Sequence, residues 1–130
     1  MGGNDAKTYN WKGKDAFRRE LCDFLDYYGD STIILCTPTT MFYMDGRTEG
    51  PANYGVDPQY MAAIAEVCRE VAQERGYVLV DIHTLTADHP EGFPIDGGHP
   101  DRYGAEAIAG AVEEAISGLS FYYGLTYYLK

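Results

Sequence analysis

Two short apolar runs, Ile33-Ile34-Leu35-Cys36 and Val78-Leu79-Val80, flank one long amphipathic segment, and that order leaves few folds open. A continuous apolar run of this length suits a strand covered on both faces, the habit of parallel sheets. Between them, Asp57-Pro58 supplies an N-cap with proline at the first helical position. Met61, Ile64, Ala65, Cys68, Val71 and Ala72 then recur at helical spacing until Gly76. Strand, helix and strand joined by connections of ordinary length imply a parallel pair with a right-handed crossover. The predicted class is therefore α/β, a three-layer α/β/α arrangement around a parallel sheet.

The flanking segments extend that pattern. A first helix is predicted over 15–28, with Phe17, Leu21, Phe24, Leu25 and Tyr28 on one face and Gly29 as its terminator. The first strand spans 31–37 and stops at Pro38, and the second spans 77–82. A loop follows over 83–99, then a last helix over 101–117 with Ile108, Ala111, Val112, Ala115 and Ile116 inward. Residues 39–56, rich in Gly, Pro, Met and Tyr, form a long irregular segment, and such length suits either a functional loop or a surface excursion. Ligands in open α/β sheets bind beyond the carboxyl ends of the strands. The Asn4 turn, the 39–56 loop and the His99 loop are all expected to converge there.

Those segments carry residues suited to acyl transfer. In Asp96-Gly97-Gly98-His99-Pro100, His99 can serve as a general base while Asp96, three residues earlier, fixes its tautomer. Gly97-Gly98 can adopt the backbone angles that fold the carboxylate back, and Pro100 disfavours helical geometry at His99. In Gly2-Gly3-Asn4-Asp5, Asn4 offers a side-chain amide to a developing oxyanion. Taken singly, Asp-x-x-His is also an ordinary polar turn, and Asn-Asp a common turn pair. The nucleophile is missing: Ser31 precedes a strand, and Ser117 and Ser120 follow or end the last helix, so none sits on a strand-to-helix turn.

Taken together, Gly-x-Asn-Asp early and Asp-x-x-His-Pro late, each followed by a helix, resemble the third and fifth blocks of the SGNH (GDSL-like) hydrolases. The resemblance runs from Gly2 to about Ile116. It implies the flavodoxin-like SGNH fold with five parallel strands, of which this chain supplies two and a stub entering Gly2. It also implies an esterase or lipase acting on a small-molecule acyl ester, with His99 as base, Asp96 as its orienter and Asn4 as oxyanion donor. Asp5 would support the loop. The family's nucleophilic serine follows its first strand and a glycine oxyanion donor its second, and both would lie upstream of Met1. The resemblance therefore implies an N-terminally truncated domain over 1–118, inactive alone, followed by an aromatic tail over 119–130. Met41, Phe42 and Tyr43 are candidates to line its acyl pocket.

Composition limits the partners. Twenty acidic against 10 basic residues give a formal charge of −10, and so acidic a surface repels phosphate backbones, which argues against nucleic acid. No apolar run approaches the roughly 18 residues of a membrane span. Neither G-x-G-x-x-G nor a P-loop occurs, which argues against nucleotide binding. His83 and His89 with Asp81 and Asp88 match no established metal-ligand spacing, so no metal or cofactor is expected. Cys22, Cys36 and Cys68 form no CxxC pair and read as core thiols, with a lean toward a reducing, cytoplasmic setting. Five aromatic residues between Phe121 and Tyr128 suggest burial or an interface. A second reading follows: a non-catalytic remnant or interaction module that pairs through an uncovered edge of its first strand and its aromatic tail, as a homodimer or with a missing N-terminal segment.

Overall fold

The computed structural model describes residues 2–128, with side chains through residue 119. Helix α1 spans Lys14–Asp26, strand β1 Ile34–Cys36, helix α2 Pro58–Arg75 and strand β2 Val78–Val80. A short helix α3, Ile82–Thr86, and the long helix α4, Arg102–Tyr128, complete the order. β1 and β2 pair in parallel, with Ile34 opposite Val78 and Cys36 opposite Val80. The class is α/β. Both strands are shorter than the predicted spans 31–37 and 77–82, and at their carboxyl ends the ladder stops where Thr37 and Asp81 turn into the site loops.

Helix α2 forms as its sequence demands. The Asp57 carboxylate accepts from the Gln59 amide, Pro58 opens the first turn, and Gly76 closes the last in the left-handed region at φ 68°. Its apolar face lies over the sheet, with Ile64, Ala65, Val67, Cys68, Val71 and Ala72 buried. Helix α1 packs beside it through Phe17, Leu21 and Leu25. The two run in parallel register, as helices on one face of a parallel sheet must: Lys14 pairs with Glu66, Arg18 with Glu70 and Glu74, and Asp26 with Arg75. These pairs are solvent-exposed and fix register more than they stabilise.

The other layer is thinner. Helix α4 packs on β2 and α3, capped by the Asp101 carboxylate, which accepts from the Gly104 amide. Its predicted inner residues Ile108, Ala111, Val112 and Ala115 are half-buried, and Ile116 is exposed. The helix also continues to Tyr128, past the predicted end at 117. The aromatic side chains after Leu119 lie outside the described residues.

Two expectations fail along α1. The helix ends at Asp26 rather than Tyr28, and Phe24 and Tyr28 are exposed at 49% and 44% instead of turned inward. Both line a groove with Ile33, Ile34, Leu35 and Cys68 beside the outer edge of β1, where no described residue covers them. For the same reason Cys36 is only half-buried, as is Cys22, while Cys68 is buried. Burial pushes the Cys68 thiol up to about 11, so it stays protonated and inert at neutral pH.

Candidate active site

Loop chemistry at the carboxyl ends of the strands sets the site. Asp81, predicted within the second strand, instead follows the end of β2 and caps α3 by accepting from the Thr84 amide. Its carboxylate also takes two hydrogen bonds from the Arg69 guanidinium, at 2.8 and 3.1 Å. Burial opposes ionisation of this group, but the Arg69 and Thr84 donors outweigh it and hold the carboxyl well below the usual carboxylate range. Buried Thr37, at the end of β1, donates to Asp81 and accepts from the His83 amide. Thr40 donates to the His83 carbonyl. These bonds tie the two strand ends together. His83 therefore sits half-buried in a structural network, with burial lowering its pKa, while His89 pairs with Glu91 at the surface.

The His99 loop is built on glycine geometry. Gly97 has φ 78°, and a Cβ there would come within 2.2 Å of the Phe42 carbonyl oxygen, so no other residue fits. A Cβ on Gly98 would meet the Met41 sulfur at 2.8 Å. The Phe42 amide donates to the Gly97 carbonyl and locks the loop against the 39–56 segment. The turn folds the Asp96 carboxylate back onto its successors. Its Oδ1 accepts from the amides of Gly98 (2.9 Å) and His99 (2.8 Å), and its Oδ2 lies 2.6 Å from His99 Nδ1. The His99 amide first, then the Gly98 amide and the imidazole, hold the Asp96 carboxyl well below the usual range. An ionised carboxylate only accepts, so Nδ1 carries a proton, and in the neutral imidazole Nε2 keeps its lone pair. The Asp96 side chain is about 10% exposed and that of His99 74%. The acid is enclosed and the base is open.

The N-terminal turn meets the same space. Gly2, buried at φ 116°, accepts from the Ala6 amide, and a Cβ there would crowd Ile64. Asn4 is exposed, and its side-chain amide has no hydrogen-bond partner among the described residues. The support expected of Asp5 comes from Asn10, whose Nδ2 donates to the Asn4 carbonyl at 2.8 Å. Gly2, Gly3, Asn4, Asp5, Gly98 and His99 line one cleft of about 520 Å³, with Met41, Val56 and Met61 as its apolar wall. Of the three predicted pocket residues only Met41 reaches it. Phe42 packs on Phe93, and the Tyr43 hydroxyl donates to the Gly50 carbonyl. Among the described residues no serine lines the cleft, and Thr39 and Tyr54 bring its hydroxyl groups.

Sequence reasoning missed Asn53 and Tyr54. Asn53 Nδ2 donates to the Asp96 carbonyl at 2.9 Å, and the Tyr54 hydroxyl donates to Asp96 Oδ2 at 3.0 Å. Only the position of the 39–56 segment at a strand's carboxyl end hinted at them.

No family model matches the chain. It is 24% identical over 137 residues to an acetylxylan esterase of Xylanibacter ruminicola, covering 89% of this chain and 27% of that protein. Two solved structures share the fold. One is a lipase/acylhydrolase from Enterococcus faecalis, at TM-score 0.74 and 22% identity, over 90% of this chain and 58% of that one. The other is the esterase domain of the ORF1 protein of the zebrafish ZfL2-1 retrotransposon, at TM-score 0.67 and 16% identity, over 85% and 62%. The chain therefore has the fold of this lipase/acylhydrolase and this esterase domain. It spans about three-fifths of these two structures and about a quarter of the curated relative.

Proposed function

We propose that this chain carries the base, orienter and oxyanion-donor part of a serine ester hydrolase acting on small acyl esters. The single observation that carries this reading is the 2.6 Å Asp96–His99 pair opening on the cleft that Asn4 also lines. His99 Nε2 would take the proton of an attacking hydroxyl as that oxygen bonds to the ester carbonyl carbon. The carbonyl oxygen, now negative, would accept from Asn4 Nδ2, a donation worth on the order of 3 kcal/mol where such a donor has been removed. The imidazolium would then protonate the departing alcohol, and water would release the acyl group by the same steps reversed. With no serine in the described cleft, the hydroxyl comes from polypeptide outside these residues.

The experiment is p-nitrophenyl acetate hydrolysis by the 130-residue chain beside a form extended by its upstream coding sequence. The short form should turn over little, since loss of a nucleophile costs on the order of a millionfold. The extended form should be active and lose activity in His99→Ala. Robust turnover by the short form would show that the chain holds its own nucleophile, and an inert extended form would remove the hydrolase reading.

The outer edge of β1 favours a second reading, an interaction module. β1 pairs with β2 alone among the described strands, and the groove beside it has a volume of about 370 Å³. Such an edge recruits another chain. Light scattering on the eluting protein decides between a stable dimer and a cooperatively folding monomer, and the monomer would end this reading.

A further inference from the structure

Tyr54 is the only non-glycine residue with positive φ among the described residues, at φ 60° and ψ 16°. An aromatic side chain has no local reason to adopt the left-handed region, so the surrounding contacts hold it there. They are on both sides. The Ala52 amide donates to the Val56 carbonyl at 2.7 Å, and Asn53 holds the Asp96 carbonyl. Lys7 and Val56 form an antiparallel bridge, and the Thr8 amide donates to the Gly55 carbonyl. The turn is thus fastened to the segment that carries Asn4 and to the loop that carries His99. What the strained backbone delivers is the Tyr54 side chain. Its hydroxyl reaches the Asp96 oxygen that also receives the His99 Nδ1 proton, and its ring stands edge-on to the imidazole, centroids 5.7 Å apart at 85°.

We propose that Tyr54 is a positioning residue of the Asp96–His99 pair, its hydroxyl fixing the carboxylate while its ring edge fixes the plane of the imidazole. The word positioning rests on the hydrolase reading above, but the geometry stands without it. Asp96 then has four donors for its four lone-pair sites: the Gly98 amide, the His99 amide, His99 Nδ1 and Tyr54. A carboxylate so filled has one rotamer. His99, open to solvent on its cleft side, depends on that rotamer and on the Tyr54 ring for its orientation.

The test is nitrogen-15 NMR of the His99 ring in the 130-residue chain, which reports which nitrogen is protonated and how fast that proton exchanges with water. Wild type should show the Nδ1-protonated tautomer. Tyr54→Phe keeps ring and backbone and removes one charge-assisted donor. It should leave the amide spectrum elsewhere unchanged, accelerate Nδ1 proton exchange roughly tenfold and admit the other tautomer. Tyr54→Gly relieves the left-handed conformation, so it should fold at least as well and disorder the imidazole further. Identical ring spectra in wild type and Tyr54→Phe would overturn the proposal, and so would unfolding of both variants, which would make Tyr54 a structural anchor. Because the readout needs no turnover, an inert extended form would refute the hydrolase reading and leave this one standing.

Discussion

At the carboxyl ends of β1 and β2 the polar groups are enclosed and partnered, whereas along the outer edge of β1 the apolar groups are half-exposed and no described residue covers them. Asp96 and Asp81 each hold several donors, and no described buried side-chain nitrogen or oxygen lacks a hydrogen bond. At the outer edge of β1, Phe24 and Tyr28 line a groove that no described residue covers. The difference teaches that hydrogen-bonded loop geometry can be completed by short segments close in space, while a sheet interior needs neighbouring strands on both sides. A polar loop cluster can therefore be preorganised on a sheet whose edge no described residue covers.

The comparison breaks most visibly at Asp96. In a form of the protein that hydrolyses esters, Asp96→Asn should lower kcat on the order of ten-thousandfold, because an amide cannot hold the required tautomer. Steady-state kinetics check it, and a loss below tenfold would mean that the enclosed carboxylate does not orient His99.

Next in size is the covered side of the sheet. Ile64, fully buried under α2, should cost about 3 kcal/mol when changed to alanine, read by urea denaturation.

The pH dependence sharpens the polar end. Asp96 has a depressed carboxyl in the folded state, so between the ordinary aspartate value of about 4 and the lower folded value the unfolded chain binds the proton. Stability from this group is complete above the unfolded value and is lost as pH falls through the folded one. Melting temperature should decline below about pH 4, and Asp96→Asn should flatten part of that decline. Asp81 contributes with the same sign, so Asp81→Asn should flatten it too.

The smallest effect belongs to the open edge. Phe24→Ser should change stability by no more than about 0.5 kcal/mol, since half the ring is already in water. A cost like that of Ile64→Ala would reveal that the groove is covered in solution.

Whatever depends on neighbours in sequence was legible without coordinates. The Asp57-Pro58 start and Gly76 stop of α2 follow from capping and φ preferences, and the parallel pair follows from two apolar runs around one crossover helix. The approach of Asp96 to His99 spans three residues, and Gly97 and Gly98 made it readable. Helix α3 was missed although its Asp81 cap is local, because five residues carry too little periodicity to distinguish a helix from a loop. The exposed Phe24, Tyr28 and Ile116 show the reverse failure: helical spacing specifies a face, but only neighbouring layers decide whether that face is covered. Tyr54 lies furthest from legibility. It is 42 residues from Asp96, and its backbone conformation runs against its own preference. Only the tertiary approach of the 39–56 segment to both site loops supplies the contacts that hold it there, and no local rule in the sequence encodes that approach.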